Sequence, residues 1–297
     1  MNLRTEQANP RSERVDQMTS FELVSLINSE DAKIAAAVNL ALPQIAKAVD
    51  VISEAMARGG RLFYVGAGTS GRLGVLDAVE CVPTFSAPPD LVQGIIAGGN
   101  AALTRSIEGA EDQPDQGRTD LMKQGLSTAD VVCGIAASGR TPYVVGALRF
   151  ARSVGAKTVA VSCNANSPIA AIADLEISVD AGPEIIAGST RMKAGTAQKM
   201  ILNMLSTATM IRLGKVYGNL MVDVKVTNQK LAQRACRLVM RLTGADAETA
   251  ARLLARANNE VKAAIVMQSL GLEYAEARQL LDDAEGRLRA VIGDESL

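Results

Sequence analysis

Leu62-Phe63-Tyr64-Val65-Gly66-Ala67-Gly68-Thr69-Ser70-Gly71-Arg72 joins an apolar run to a turn rich in glycine and hydroxyls. The apolar run 62–65 reads as a buried strand, and Leu73-Gly74-Val75-Leu76-Asp77-Ala78-Val79 reads as the start of a helix. A strand, a turn of Gly, Thr and Ser, then a helix makes a cradle for an anion. Glycines admit close backbone approach, hydroxyls donate hydrogen bonds, and a helix N-terminus is partly positive. Gly66, Gly68 and Gly71 fit a Gly-x-Gly-x-x-Gly spacing, but Thr69 and Ser70 add hydroxyls that a dinucleotide fingerprint does not require. No Gly-Lys-Ser/Thr closes the turn, so it is not a Walker loop. Taken alone, it serves equally well as an ordinary strand-to-helix turn.

A second copy of the design changes the balance. Val131-Val132-Cys133-Gly134-Ile135-Ala136-Ala137 runs into Ser138-Gly139-Arg140-Thr141-Pro142. The doubled Ser-Gly-Arg, at 70–72 and 138–140, favours a monophosphate held by hydroxyls between two loop walls. The arginines either add charge or cap a neighbouring element. The phosphate candidates are Gly68, Thr69, Ser70, Gly71, Arg72, Ser138, Gly139, Arg140 and Thr141.

Outward from these loops, strands are expected near 61–65, 91–97, 131–136, 157–162 and 175–179, with helices such as Tyr143–Val154 between them. Alternation of this kind implies an α/β fold with a five-stranded parallel sheet flanked by helices, and ligands at the carboxyl ends of its strands. Residues 1–20 read as a polar arm. Ser29 is a candidate cap for a helix opening with Glu30 and Asp31, and Pro43 opens another through about Ala57. The polar loop from Ala181 to Lys199 carries Ser189, Thr190, Arg191 and Lys193 and feeds a helix over Met200–Leu213. It fits a plain loop and helix cap, but its position at the ligand end makes Ser189 and Lys193 candidate anion contacts.

From about 235 the chain reads as purely helical. Ala250, Leu253, Leu254, Ala257, Ala263 and Ile265 recur 27 positions later as Ala277, Leu280, Leu281, Ala284, Ala290 and Ile292, since 280 − 253 = 27. Two helical-hairpin repeats from about 245 are expected. The division is an N-terminal arm and helices over 1–53, a ligand-binding domain over 54–217 and a small all-helical C-terminal domain over 218–297.

Composition removes whole classes of chemistry. Histidine is absent, so no Ser-His or Cys-His nucleophilic pair exists and zinc loses its commonest ligand. Acid–base work near neutral pH falls first to carboxylates. A net charge of −1 gives no electrostatic case for nucleic acid or a charged membrane surface. The polar N-terminus carries no signal-like apolar block, and no apolar run is long enough to span a bilayer. Cys81, Cys133, Cys163 and Cys236 are widely spaced in apolar surroundings and read as reduced core cysteines of a cytoplasmic protein.

Two acids stand out. Glu80 is flanked by Val79 and Cys81, an apolar setting that would raise a carboxyl pKa. Glu111 lies in Glu108-Gly109-Ala110-Glu111-Asp112, beyond the second strand at the ligand end. From the residues alone, Glu80 also fits a helix-surface charge or ion pair, and Glu111 a solvated loop; those are the commoner fates of charged residues.

The two hydroxyl loops resemble those of sugar isomerase (SIS) domains, which bind phosphosugars. Over essentially its whole length the chain is similar to the N-acetylmuramic acid 6-phosphate etherase family. The carrying residues are Gly66–Gly74, Glu80-Cys81, Glu108–Asp112, Gly134–Tyr143, Gly182-Pro183-Glu184, Gly188–Lys199 and Asn219–Asp223, with no departure at a motif position. The 182–199 segment is also similar to a signature of glucokinase regulatory protein. The resemblance implies an SIS-type sheet and cleavage of the D-lactyl ether at carbon 3 by elimination and hydration, in cell-wall recycling. It also implies a cytoplasmic homodimer with its site near the subunit interface, no metal or cofactor, and an acid/base pair at Glu80 and Glu111. A phosphosugar isomerase and a non-catalytic sugar-phosphate sensor are the alternative readings.

One geometric expectation follows. On an unbroken helix, Glu80 lies about 15 Å along the axis from Ser70, at roughly 1.5 Å per residue. Either Glu80 serves a neighbouring protomer, or the helix breaks early, since Pro83 disfavours helical geometry at Val82.

Overall fold

The computed structural model describes residues 3–224, 226 and 229–293. The remaining positions of the expected 1–53 and 218–297 segments lie outside the described residues. The chain forms two compact units, one of residues 1–79 with 89–206, the other of 80–88 with 207–297.

The first unit is built on five parallel strands: β1 (Leu62–Gly66), β2 (Val92–Ile96), β3 (Val131–Ile135), β4 (Lys157–Ser162) and β5 (Leu175–Ser178). Their order is β2-β1-β3-β4-β5. The apolar run 62–66 is buried at every position, as a central parallel strand covered on both faces must be. Helices α1 (Ser20–Asp31), α2 (Ile34–Asn39) and α3 (Leu42–Ala57) precede the sheet; α4 (Gly68–Phe85) follows β1. Next come α5 (Pro114–Lys123), α6 (Pro142–Val154), α7 (Pro168–Ile172) and α8 (Lys193–Arg212). Phe63, Val65, Val132, Val144, Ala147, Leu148 and Ile169 belong to one buried cluster beside the sheet.

All five expected strands and the alternating α/β plan are present, and several local expectations are corrected. Ser29 caps nothing; it lies inside α1, its hydroxyl donating to the Leu26 carbonyl. The cap of α1 is Thr19, in a reciprocal box with Glu22, so the cap-and-Glu pattern was present ten residues earlier. The segment read as a polar arm is docked, with Thr5, Asn9 and Ser12 buried in 3-10 turns. Pro83 does not end α4, which runs to Phe85 with the proline inside its last turn. Residues 193–199, read as loop, are the first two turns of α8.

The second unit opens the C-terminal region with a small antiparallel hairpin, β6 (Val216–Tyr217) and β7 (Leu220–Met221), which the helical reading did not include. Helices α9 (Gln229–Thr243), α10 (Ala247–Arg256), α11 (Val261–Leu270), α12 (Tyr274–Asp283) and α13 (Leu288–Ile292) follow. The start of α12 lies 274 − 247 = 27 residues after that of α10, and α13 starts 288 − 261 = 27 after α11. Val261 through Met267 are buried without a break, because α11 is enclosed by its neighbours. Among the described residues no single helix is long and apolar enough to cross a membrane.

Candidate functional site

Chain order and strand order part company at β1. From β1 the chain moves to β2 on one side, then returns to β3 on the other. Loops leaving neighbouring strands at such a reversal diverge and open a crevice at the carboxyl end of the sheet. Gly66 pairs with Ile135 in register, so the turns leaving β1 and β3 start side by side. These are the two hydroxyl turns.

The first turn is tighter than its sequence suggests. After Gly66 only Ala67 intervenes before α4 begins at Gly68, whose φ of 52° suits glycine. A Cβ on Gly71 would stand 2.7 Å from the Gly66 carbonyl oxygen and 2.6 Å from Ile96 Cγ1, so only hydrogen fits where α4 crosses the strand ends. Ser70 is buried, and its hydroxyl donates to Gln198 Oε1 at 2.9 Å. Gln198 is also buried, and its Nε2 has no hydrogen-bond partner among the described residues. Sequence reasoning missed Gln198; its signal was its place in the 188–199 signature. Arg72 takes the capping role, donating to the carbonyls of Leu103 at 3.3 Å and Arg105 at 3.0 Å.

The second turn is held from β4. Cys163 N–H and Asn164 Nδ2 both donate to the Ala137 carbonyl, at 2.9 and 3.0 Å. Gly139 has φ 68°, and a Cβ there would lie 2.2 Å from Ser167 Cβ, which explains glycine at that position. Ser138 accepts from the Arg140 amide at 3.2 Å, Arg140 is exposed, and Thr141 precedes α6 without a side-chain cap.

Beside the first turn lies a cavity of about 310 Å³ lined by Ala67, Gly68, Arg72, Ala97, Glu108 and Glu111, among others. Glu111 sits in a 3-10 turn, Ala110–Asp112, introduced by Gly109 at φ 69°. The structure thus brings Glu111 together with Gly68 and Arg72 on one cavity, its carboxylate exposed. Glu80 is not among the residues lining it. It lies on α4 and is exposed, as is Val79 at 60%, so the apolar setting expected from its neighbours is not formed within one chain.

Lys193 is 3% exposed, and its ammonium meets Glu30 Oε2 at 2.8 Å. Buried Glu184 caps the start of α8, accepting from the amides of Lys193 and Ala194 at 3.0 and 2.9 Å. Ser189 is half-buried; its amide donates to the Ile186 carbonyl at 2.9 Å. None of the four cysteines forms a disulfide; Cys81, Cys133 and Cys163 are buried, while Cys236 is half-buried. Burial pushes the Cys163 thiol up to about 12 and raises Cys133 further, so neither supplies a thiolate. Among the described residues no group of Cys, Asp and Glu is arranged to hold a metal ion.

This architecture is that of the SIS class. The SIS domain family matches residues 114–208, and the N-terminal SIS domain of glucokinase regulatory protein matches 44–152. A phosphoheptose isomerase from Francisella tularensis superposes with TM-score 0.53 at 18% identity, covering 65% of this chain and 100% of its own. The Neisseria gonorrhoeae phosphoheptose isomerase gives 0.50 at 16%, covering 64% and 98%. At such identity these likenesses establish the fold. The C-terminal lid domain of glucokinase regulatory protein matches residues 218–268.

The relatives by sequence are far nearer. N-acetylmuramic acid 6-phosphate etherase from Edwardsiella ictaluri is 55% identical over 98% of this chain and 97% of its own. That of Brucella anthropi is 56% identical over 97% and 94%, and etherase 1 of Bacillus licheniformis 53% over 98% and 95%. The chain belongs to the N-acetylmuramic acid 6-phosphate etherase family.

Proposed function

We propose that this enzyme, a carbon–oxygen lyase, cleaves the D-lactyl ether of N-acetylmuramic acid 6-phosphate. The products are N-acetylglucosamine 6-phosphate and D-lactate, released in cell-wall recycling. The observation that carries the reading is identity above 50% to etherases along nearly the entire chain. The phosphate is held between the turns of Gly68–Arg72 and Ser138–Thr141. Ser189 extends this lining, and the unpaired Nε2 of Gln198 is a further donor. The SIS portion is taken as residues 54–217 and the helical domain as 218–297; the lid-domain match over 218–268 supports the second.

An ether resists direct hydrolysis, but in the open-chain sugar the carbon 2 proton is α to an aldehyde. A carboxylate removes that proton. The released electron pair forms the carbon 2–carbon 3 double bond and expels the lactyl oxygen, which a carboxylic acid protonates. Water then adds, its hydroxyl to carbon 3 and a proton to carbon 2. Two carboxyls with different surroundings suffice, which suits a chain without histidine. Glu111, on the cavity, is one of the pair, and Glu80 is the other.

α4 is unbroken from Gly68 to Phe85, so Glu80 stands about 15 Å along its axis from Ser70. We assign Glu80 to the neighbouring protomer's site. Leu76 and Val79 are 55% and 60% exposed, and with Glu80 and Pro83 they recur at three- and four-residue spacing along one helix face. An apolar stripe around a carboxylate suits a surface covered by a second copy in a cytoplasmic homodimer.

D-lactate release from N-acetylmuramic acid 6-phosphate tests the reading, with Glu80→Ala and Glu111→Ala beside the wild type. Lactate from the wild type and a loss of roughly 10²–10⁴-fold in each variant is expected. Saturable binding without turnover would mean a sensor, and sugar interconversion without lactate an isomerase. Full activity from a sedimenting monomer would overturn the shared site.

A further inference from the structure

Beside β5, at the far edge of the sheet from β2, the first unit carries a second cluster that the etherase reaction does not use. Glu30 is 3% exposed and accepts from four donors. Its Oε1 receives Arg11 Nη1 at 2.5 Å and the Lys33 ammonium; its Oε2 receives Lys193 Nζ at 2.8 Å and Asn9 Nδ2 at 3.2 Å. Next to it, Arg4 pairs with Asp180 at 2.7 Å. These four cations and two carboxylates line one cavity of about 360 Å³, for a net charge of 4 − 2 = +2.

The surplus is localised. Arg4 and Asp180 cancel, which leaves three cations on the single carboxylate of Glu30. Lys193 has the inner oxygen to itself among the cations and is buried with it. Arg11 and Lys33 share the outer oxygen, and their side chains are 49% and 57% exposed. A guanidinium has five N–H donors and an ammonium three. The described contacts of Arg11 to Glu30 and Ser29, and of Lys33 to Glu30, engage a minority of them. Excess positive charge, spare forked donors and a concave wall together suit an oxyanion.

We propose that this cavity binds a small doubly charged oxyanion, either inorganic phosphate or a phosphate monoester, held by Arg11 and Lys33 with Arg4 at its rim. Two negative charges cancel the surplus. The site is separate from the substrate cavity. It is lined by residues 180–183 just after β5, whereas the substrate cavity is lined by residues just after β1 and β2. Three to four strand spacings at about 4.8 Å put the two on the order of 14–19 Å apart. The anion would tie the docked N-terminal turns to the start of α8, the helix whose Gln198 holds Ser70.

Isothermal titration of the full chain with inorganic phosphate, and separately with N-acetylglucosamine 6-phosphate, tests this without reference to turnover. The variants are Arg11→Gln/Lys33→Gln and the charge-conserving Arg11→Lys/Lys33→Arg, each checked by circular dichroism. The expected result is one equivalent of phosphate per chain lost, or weakened roughly tenfold or more, in the glutamine pair and kept in the conservative pair. Displacement of that equivalent by the sugar phosphate would identify a monoester; no competition would identify free phosphate. Equal stoichiometry and affinity in wild type and the folded glutamine pair would overturn the proposal, as would a wild type that binds no phosphate at millimolar concentration. Should the glutamine pair not fold, Lys33→Gln alone, at a half-exposed position, makes the same comparison. Lactate release reports separately on the etherase reading.

Discussion

Glu30 and Glu111 are the same residue type in the same unit, both near the carboxyl end of one sheet, and they have opposite surroundings. Glu30 is buried under four donors, three of them cations. Burial by itself would raise its carboxyl, but hydrogen bonds from Lys193, Lys33 and Arg11 outweigh that and hold it at about 2. Glu111 is exposed on a turn facing a cavity. A carboxylate that must exchange protons with a substrate has to remain accessible and incompletely satisfied. One that ties an N-terminal arm to a distant helix has to be saturated. The contrast separates a charge available for chemistry from a charge consumed by architecture.

Substitutions at the two positions should therefore fail in different ways. Glu111→Gln should lower lactate release by roughly 10²–10⁴-fold with the melting temperature unchanged. Glu30→Gln should cost about 3–5 kcal/mol of stability, because Lys193 is then buried without its counter-charge. Denaturant melts beside lactate assays check both, and a Glu111 variant as unstable as the Glu30 one would erase the distinction.

Acid should reach Glu30 late, only well below the ordinary carboxylate range. Its folded pKa lies below its ordinary value of 4.5, so the stabilisation is complete above about pH 5 and is lost as pH falls towards 2. The loss approaches about 3 kcal/mol for that group. Wild type should lose stability between pH 5 and 2 more steeply than Glu30→Gln, measured by urea melts across that range. Parallel curves would mean that other carboxylates carry the acid transition.

A smaller effect is expected at the first hydroxyl turn. Gly71→Ala places a methyl 2.6 Å from Ile96 Cγ1 and 2.7 Å from the Gly66 carbonyl. The overpacking should cost about 1–3 kcal/mol and raise KM through displacement of Ser70. A variant with unchanged KM would show that the turn tolerates a shift without moving its hydroxyl.

Much of the fold was legible because its signals are local. Val131–Ile135 and Leu62–Gly66 are short apolar runs bounded by turn residues, and both are buried strands. The hydroxyl turns were legible for the same reason, and the 27-residue recurrence reappears as equal offsets between helix starts. Misreadings arose where two local signals competed. Ser29 followed by Glu30 and Asp31 resembles a cap, but Thr19 with Glu22 offers the reciprocal box, and the helix starts there. Pro83 looked like a stop, but at the last turn of α4 the loss of one donor bond is tolerated.

The amino-acid order was enough to place the five strands and most of the helices, to mark two strand-ending turns as candidate anion cradles, and, through the missing histidine, to make carboxylates the first candidates for acid–base work. Periodicity, turn chemistry and residue inventory depend only on near neighbours along the chain. Folding in three dimensions was needed to set β1 beside β3, to bring Ser70 to Gln198 across 128 positions, and to pair Lys193 with Glu30 across 163. Those partners are chosen by the need to bury polar groups with their complements, and that need arises only once the chain is compact.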